Sequence, residues 1–133
     1  MTKPEIRIND EARITKESAA TSEYDLEERT ARFGESVIAF AKKIPVNEVT
    51  RALIAQLVRA ASSVGANYAE ADDCDSRKDF RFKIGLCRRE ARESKHWVRM
   101  VVAADQQVRH EARVIWQEAK ELNLIFGAIR RKT

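Results

Sequence analysis

Glu93-Ser94-Lys95-His96 is an ExxH run, the half-motif with which helix bundles hold a pair of iron ions. Such a centre needs two of these units and two further inward carboxylates. The other histidine, His110, has Gln107 where its glutamate should stand, so the ligand count does not close. Asp73-Cys74-Asp75 lacks the glycine and the closing glutamate of a calcium loop. Serine, histidine and acid all occur, but nothing marks a nucleophile elbow, and there is no Gly-rich phosphate loop. The expectation is therefore no catalytic residues, no metal, no cofactor and no small-molecule substrate: a protein that is not an enzyme.

The stronger chemical signal is charge. Residues 76–104 hold nine Lys or Arg against three acids, whereas residues 46–75 hold two Arg against five acids. At about 100° per residue, Arg77, Arg81, Arg88, Arg92, Lys95 and Arg99 fall within about 60° of one another on a helix. This ladder is placed opposite the core face. Like charges at this spacing repel by about 0.2–0.5 kcal/mol per pair, so something must compensate. Two readings follow. Either the ladder is a stripe that binds the phosphates of RNA or DNA, without strong sequence preference, or it pairs with acids of another subunit or a protein partner. No aromatic residue interleaves with these arginines along the helix, so base stacking is not indicated, and Trp97 and Trp116 read as core-edge or interface anchors. Asn67 and Glu90 lie in or beside apolar stripes, where a buried polar group must find a partner; they are assigned to interhelical hydrogen bonds that fix register.

The elements that must position these residues are helices. The chain of 133 residues is 44% apolar and 35% charged, with four Gly and two Pro. That is too little turn chemistry for a sandwich or barrel, and the length suits one domain. Four stripes at helical spacing follow one another. The first is Leu26, Phe33, Val37, Phe40 and Ile44, opened by Asp25 and stopped by Pro45. The second, opened by Asn47 or Thr50, runs from Leu53 through Leu57, Ala60, Ala61, Val64 and Tyr68 to Ala71. The third, capped by Ser76, carries Phe80, Ile84, Cys87, Ala91, Val98, Val101 and Val102. The fourth, after a break near 104–107, carries Val108, Ala112, Ile115, Ala119, Leu122, Phe126 and Ile129. Short connections make consecutive helices antiparallel. The predicted fold is all-α: an up-down-up-down four-helix bundle over residues 25–133. Residues 1–24 form a polar tail, read either as a mobile terminus or as an arm docking Ile6, Ile8 and Ile14 on a neighbouring subunit. No apolar run reaches the roughly 18 residues of a membrane span. The N-terminus is too polar for a secretory signal and the two cysteines show no disulfide spacing, which points to the cytoplasm.

Residues 56–70, QLVRAASSVGANYAE, are similar to the QLxRAAxSxxxNxAE signature of a bacterial family, and Phe80, Ile84, Glu90, Glu93, Trp97 and Val98 resemble its second helical motif. The family is that of the intervening-sequence, or ribosomal-protein-like, four-helix-bundle proteins, some encoded inside insertions in large-subunit ribosomal RNA genes. The resemblance spans roughly residues 24–130. Ala71 stands where many members have glycine, and Val98 where leucine is common. The signature adds Glu70 to Asn67 and Glu90 as structural polar positions. The resemblance implies a small antiparallel bundle assembling into a homopentameric ring, with no established activity. A related accessory protein of diversity-generating retroelements is likewise a basic bundle that binds nucleic acid, which favours the phosphate-stripe reading.

Overall fold

A computed structural model describes residues 26–133, and all four expected helices are present in it. They are α1 (26–41), α2 (Glu48–Asp72), α3 (Arg77–Ala104) and α4 (Arg109–Lys132), with a 3-10 turn at Gln106–Val108 before α4. The Asp25 cap and the proposed tail at 1–24 lie outside the described residues.

Local chemistry sets the helix ends. The chain tightens as α1 ends, with Lys43 N–H donating to Phe40 and Ile44 N–H to Ala41, and Pro45, which has no N–H to donate, stops it. Asn47 and Thr50, alternatives as openers of α2, act together. The Asn47 Oδ1 accepts from Thr50 N–H at 2.9 Å, and the Thr50 hydroxyl accepts from Asn47 N–H at 2.9 Å. That reciprocal box satisfies two donors that a helix start leaves open. Ser76 Oγ accepts from Asp79 N–H at 3.0 Å to open α3, and Asp105 Oδ1 accepts from Gln107 N–H at 3.1 Å to turn the chain into α4.

Every helix packs antiparallel to its neighbours. Thr30 and Gly34 of α1 meet Gly65 and Ala61 of α2 in that opposed order; a Cβ at Gly65 would stand 3.4 Å from the Thr30 hydroxyl, so this seam is made of small residues. Val64 of α2 faces Cys87 of α3. Arg29 near the start of α1 meets Glu118 well along α4, and Lys43 just past its end meets Glu111 near the start of α4. α2 and α4 occupy one diagonal, where the rings of Tyr68 and Phe126 touch at the centre, 5.9 Å apart. The core is built from the apolar stripes: Leu57, Val64, Ile84, Ala91, Ala119, Leu122 and Phe126 have no exposed surface.

The bundle geometry makes a sharp test within two residues of α4. Leu122 is fully buried and Leu124 is 59% exposed. Leu122→Ala is expected to destabilise the protein by about 2–5 kcal/mol in urea unfolding, the usual cost of a buried leucine cavity. Leu124→Ala should change it by no more than about 0.5 kcal/mol.

Candidate nucleic-acid interface

The ladder residues all lie on α3, but not opposite the core. From Ile84, Cys87, Ala91, Val98 and Val101, the centre of the ladder is turned by only about 100° around the helix. It therefore flanks the core on the side where α4 packs. Arg88 and Lys95 are half-buried against α4; Arg77, Arg81, Arg92 and Arg99 are exposed. The opposed placement assumed two faces on α3, whereas a helix with two neighbours has a core face and two flanks.

Those two flanks differ in charge because of where the glutamates point. On the α2 side, Arg59 donates to Glu93 at 2.8 Å and to Glu90 at 3.3 Å, and Lys83 pairs with Glu70. Hydrogen bonding to Glu93 raises the Arg59 pKa, and hydrogen bonding to Glu70 raises that of Lys83. Across the bundle, Arg29 donates to Glu118 at 2.7 Å and to Glu121 at 2.8 Å, and Lys43 to Glu111 at 3.1 Å. The Glu118 hydrogen bond holds the Arg29 guanidinium still more firmly charged than usual. Glu90, Glu93, Glu111, Glu118 and Glu121 are all the glutamates of α3 and α4, and each is engaged by a cation from α1, the turn after it, or α2.

The α3–α4 face is left with bases alone. Among the described residues, none of Arg77, Arg81, Arg88, Arg92, Lys95 and Arg99 makes an ion pair. α4 adds a second row, Arg109, Arg113, Lys120 and Arg131, which fall within about 40° of one another. The same helical spacing marks this row in the sequence, but apolar and acidic residues among its bases mask it. Glycines let the two rows close up: Arg130 lies over Gly85, where a Cβ would stand 3.0 Å from its Nε, and Arg88 and Arg131 meet over Gly127. The Arg130 Nε is buried with no acceptor within the described residues. Asn123 Nδ2 donates to the Arg88 carbonyl at 2.9 Å and pins the seam.

One aromatic does join the stripe, contrary to the reading along α3 alone. Trp116 of α4 comes between the rows, with the Lys95 ammonium 5.3 Å and the Lys120 ammonium 5.7 Å from its ring. Beside it runs a groove of about 440 Å³ lined by residues including Arg99, Arg109 and Arg113. A one-helix period cannot reveal a contact supplied by the next helix.

The other candidates separate. Glu70 and Glu90 do reach across to a neighbouring helix. Asn67 does not: its amide donates to the Ser63 carbonyl one turn earlier, at 2.9 Å, because a half-buried mid-helix amide at the stripe's edge finds that acceptor first. The ExxH run is divided, Glu93 in a bridge and His96 exposed against Trp97. Among the described residues no three His, Cys, Asp or Glu gather as a metal set, and no described helix is long and apolar enough to cross a membrane. Cys87 is sealed in the core, its thiol donating to the Val64 carbonyl, and burial pushes its pKa up to about 12.

Among the described residues, then, the protein is an antiparallel four-helix bundle whose α3–α4 face carries basic side chains outside any ion pair. The profile of the 23S rRNA-intervening sequence proteins matches residues 22–128, and the chain belongs to that family. Its fold is shared with a solved protein of unknown function from the S23 ribosomal protein family of Bacteroides thetaiotaomicron. The two align with a TM-score of 0.73 at 24% identity, over 82% of this chain and 97% of that one. No curated protein matches the chain.

The cysteines give a pH test. A thiol whose folded pKa is raised contributes stability in full below its ordinary value of about 8.5. That contribution is lost as pH rises toward about 12. Thiol titration of the native protein at pH 8 should modify half-buried Cys74 first and Cys87 only on unfolding. Cys87→Ala should remove part of the alkaline loss of stability in urea titrations.

Proposed function

We propose that this protein is a non-enzymatic nucleic-acid-binding module whose contact surface is the outer face of α3 and α4. The observation that carries the reading is the withdrawal of all five glutamates of those helices into bridges on the α1 and α2 sides. Two parallel rows of Lys and Arg remain, with no glutamate of their own helices to neutralise them. Arginine presents a forked donor set that matches phosphate oxygens, and a row at one-turn spacing can follow a phosphate backbone. The like-charge cost of the rows is then recovered on binding, when counterions are released. The family's association in name with 23S rRNA makes RNA the first polymer to test.

We further propose self-association, as the family resemblance implies, with a pentamer expected. Ile38 of α1 and Val114 of α4 are 44% and 68% exposed, on the two helices that share the acid-neutralised seam. Copies meeting there would leave the α3–α4 face open and repeat it around the assembly, multiplying a weak affinity. Light scattering at micromolar concentration should report an oligomer, and a monomer would contradict this part of the proposal. The rival reading is a scaffold in which acids of another copy or an acidic protein cap the rows. It predicts an assembly without nucleic-acid affinity.

Fluorescence polarisation with labelled RNA decides between them. The wild type should bind at low salt and lose affinity steeply as salt rises. Changing Arg88, Arg92 and Arg99 together to Gln should weaken binding across all sequences. It should also flatten the salt dependence by roughly one unit of log–log slope for each phosphate no longer neutralised. No binding at low salt, or unchanged binding by the triple variant, would defeat the proposal.

A further inference from the structure

We infer that the groove beside Trp116 seats an unpaired nucleobase, so that the nucleic acid preferred by the α3–α4 face is single-stranded. This rests on the nucleic-acid reading and narrows it.

The argument starts from how Trp116 is held. It is half-buried, with its inner edge packed on the core. Two ammonium groups from different helices stand over its ring, Lys95 from α3 at 5.3 Å and Lys120 from α4 at 5.7 Å. Cations gather over an indole because its face carries the negative part of the ring quadrupole. Trp116 also lines the cationic groove, and among the described residues its ring makes no contact with another aromatic. The groove supplies the rest of a nucleotide's needs: Val98, Val102 and Ala112 give an apolar floor, and Arg99, Arg109 and Arg113 stand as bases along it. At about 440 Å³ it lies within the range of about 300–1,000 Å³ common to small-ligand sites.

Charge excludes most other occupants. A cationic peptide is repelled by this setting and a neutral one can use only its apolar floor, whereas a nucleotide offers an anion and a flat π face a few ångströms apart. Both lysines sit on flexible four-carbon stems, so each can leave the ring for a phosphate as a base takes its place. Stacking on a single aromatic discriminates little among bases, since every base has a π face. A duplex keeps its bases stacked inside and can use only the arginine rows. The groove therefore converts a surface that attracts any polyanion into one that favours unpaired strands.

The test compares a mixed-sequence single-stranded RNA with a duplex of the same length, by polarisation at fixed salt. The wild type should bind the single strand more tightly. Trp116→Leu should weaken single-strand binding about tenfold, the loss of one stacked base, while changing duplex binding less than about twofold. Trp116→Phe keeps a smaller π face and fills the same site, so it should retain most of the single-strand preference and guards against a folding artefact. In a Trp97→Phe background, the remaining indole emission should be quenched by the single strand and not by the duplex. Equal affinity for both polymers, with Trp116→Leu weakening both alike or neither, overturns the inference. If the Arg88, Arg92 and Arg99 variant still loses binding in that case, the electrostatic reading survives without the groove. No binding by the wild type to either polymer removes both.

Discussion

The direction in which five glutamates point governs the character of this bundle. Glu90 and Glu93 lie on the α2 flank of α3, and Glu111, Glu118 and Glu121 on the α1 flank of α4. Two seams that face each other across the bundle are thereby bridged, and the seam between α3 and α4 is not. The exposed bridges themselves are worth little to stability, about 0–1 kcal/mol each. Their larger effect is on the field outside the protein, because an acid tied to one seam cannot neutralise a base on another. Among the described residues, segregation of this kind leaves a basic α3–α4 face on a chain whose formal net charge is only +4.

Keeping two basic rows side by side costs local stability, and the bundle bears that cost through its core. The seam beneath the rows is closed by side chains and glycines in place of ion pairs. Gly85 and Gly127 admit the arginine stems, Asn123 reaches the Arg88 carbonyl, and Trp116 takes two lysines over its ring. Each arrangement lets a cation lie close to α3 or α4 without a carboxylate. A leucine at Gly85 would crowd Arg130, whose Nε has no acceptor among the described residues. The fold and the charged face thus share the same residues along one seam. The α1–α2 seam, with Thr30, Gly34, Ala61 and Gly65, is left for close backbone packing.

Most of the fold was legible because it rests on one-dimensional signals. Apolar residues recurring at three and four places marked the faces that are now buried, from Phe33 and Val37 to Leu122 and Phe126. Pro45, Asn47 and Ser76 marked ends through their own backbone chemistry. The ladder was legible for the same reason. What the spacing could not carry was the relation between helices. It placed the ladder opposite the core, because a single helical wheel does not show which flank a neighbour covers. It assigned Asn67 to an interhelical bond, although an acceptor in its own helix was nearer. It also missed Trp116 as part of the basic face, since that residue belongs to the stripe only once α4 lies beside α3. The row on α4 has the period needed to find it, but its bases are spread among apolar and acidic residues that dilute the signal.

Lysine reactivity reads the claimed asymmetry most directly, since the cations at issue divide between faces. Lys95 and Lys120 stand over Trp116 on the α3–α4 side, Lys43 is bridged to Glu111 on the α1–α4 side, and Lys42 is exposed next to it. Acetylation followed by mass spectrometry, with and without saturating RNA at low salt, measures each of them in one experiment. Selective protection of Lys95 and Lys120, with Lys42 and Lys43 unchanged, is the predicted result. Protection of Lys42 and Lys43 instead, or uniform slight protection of all four, would contradict a binding face set by the placement of the glutamates.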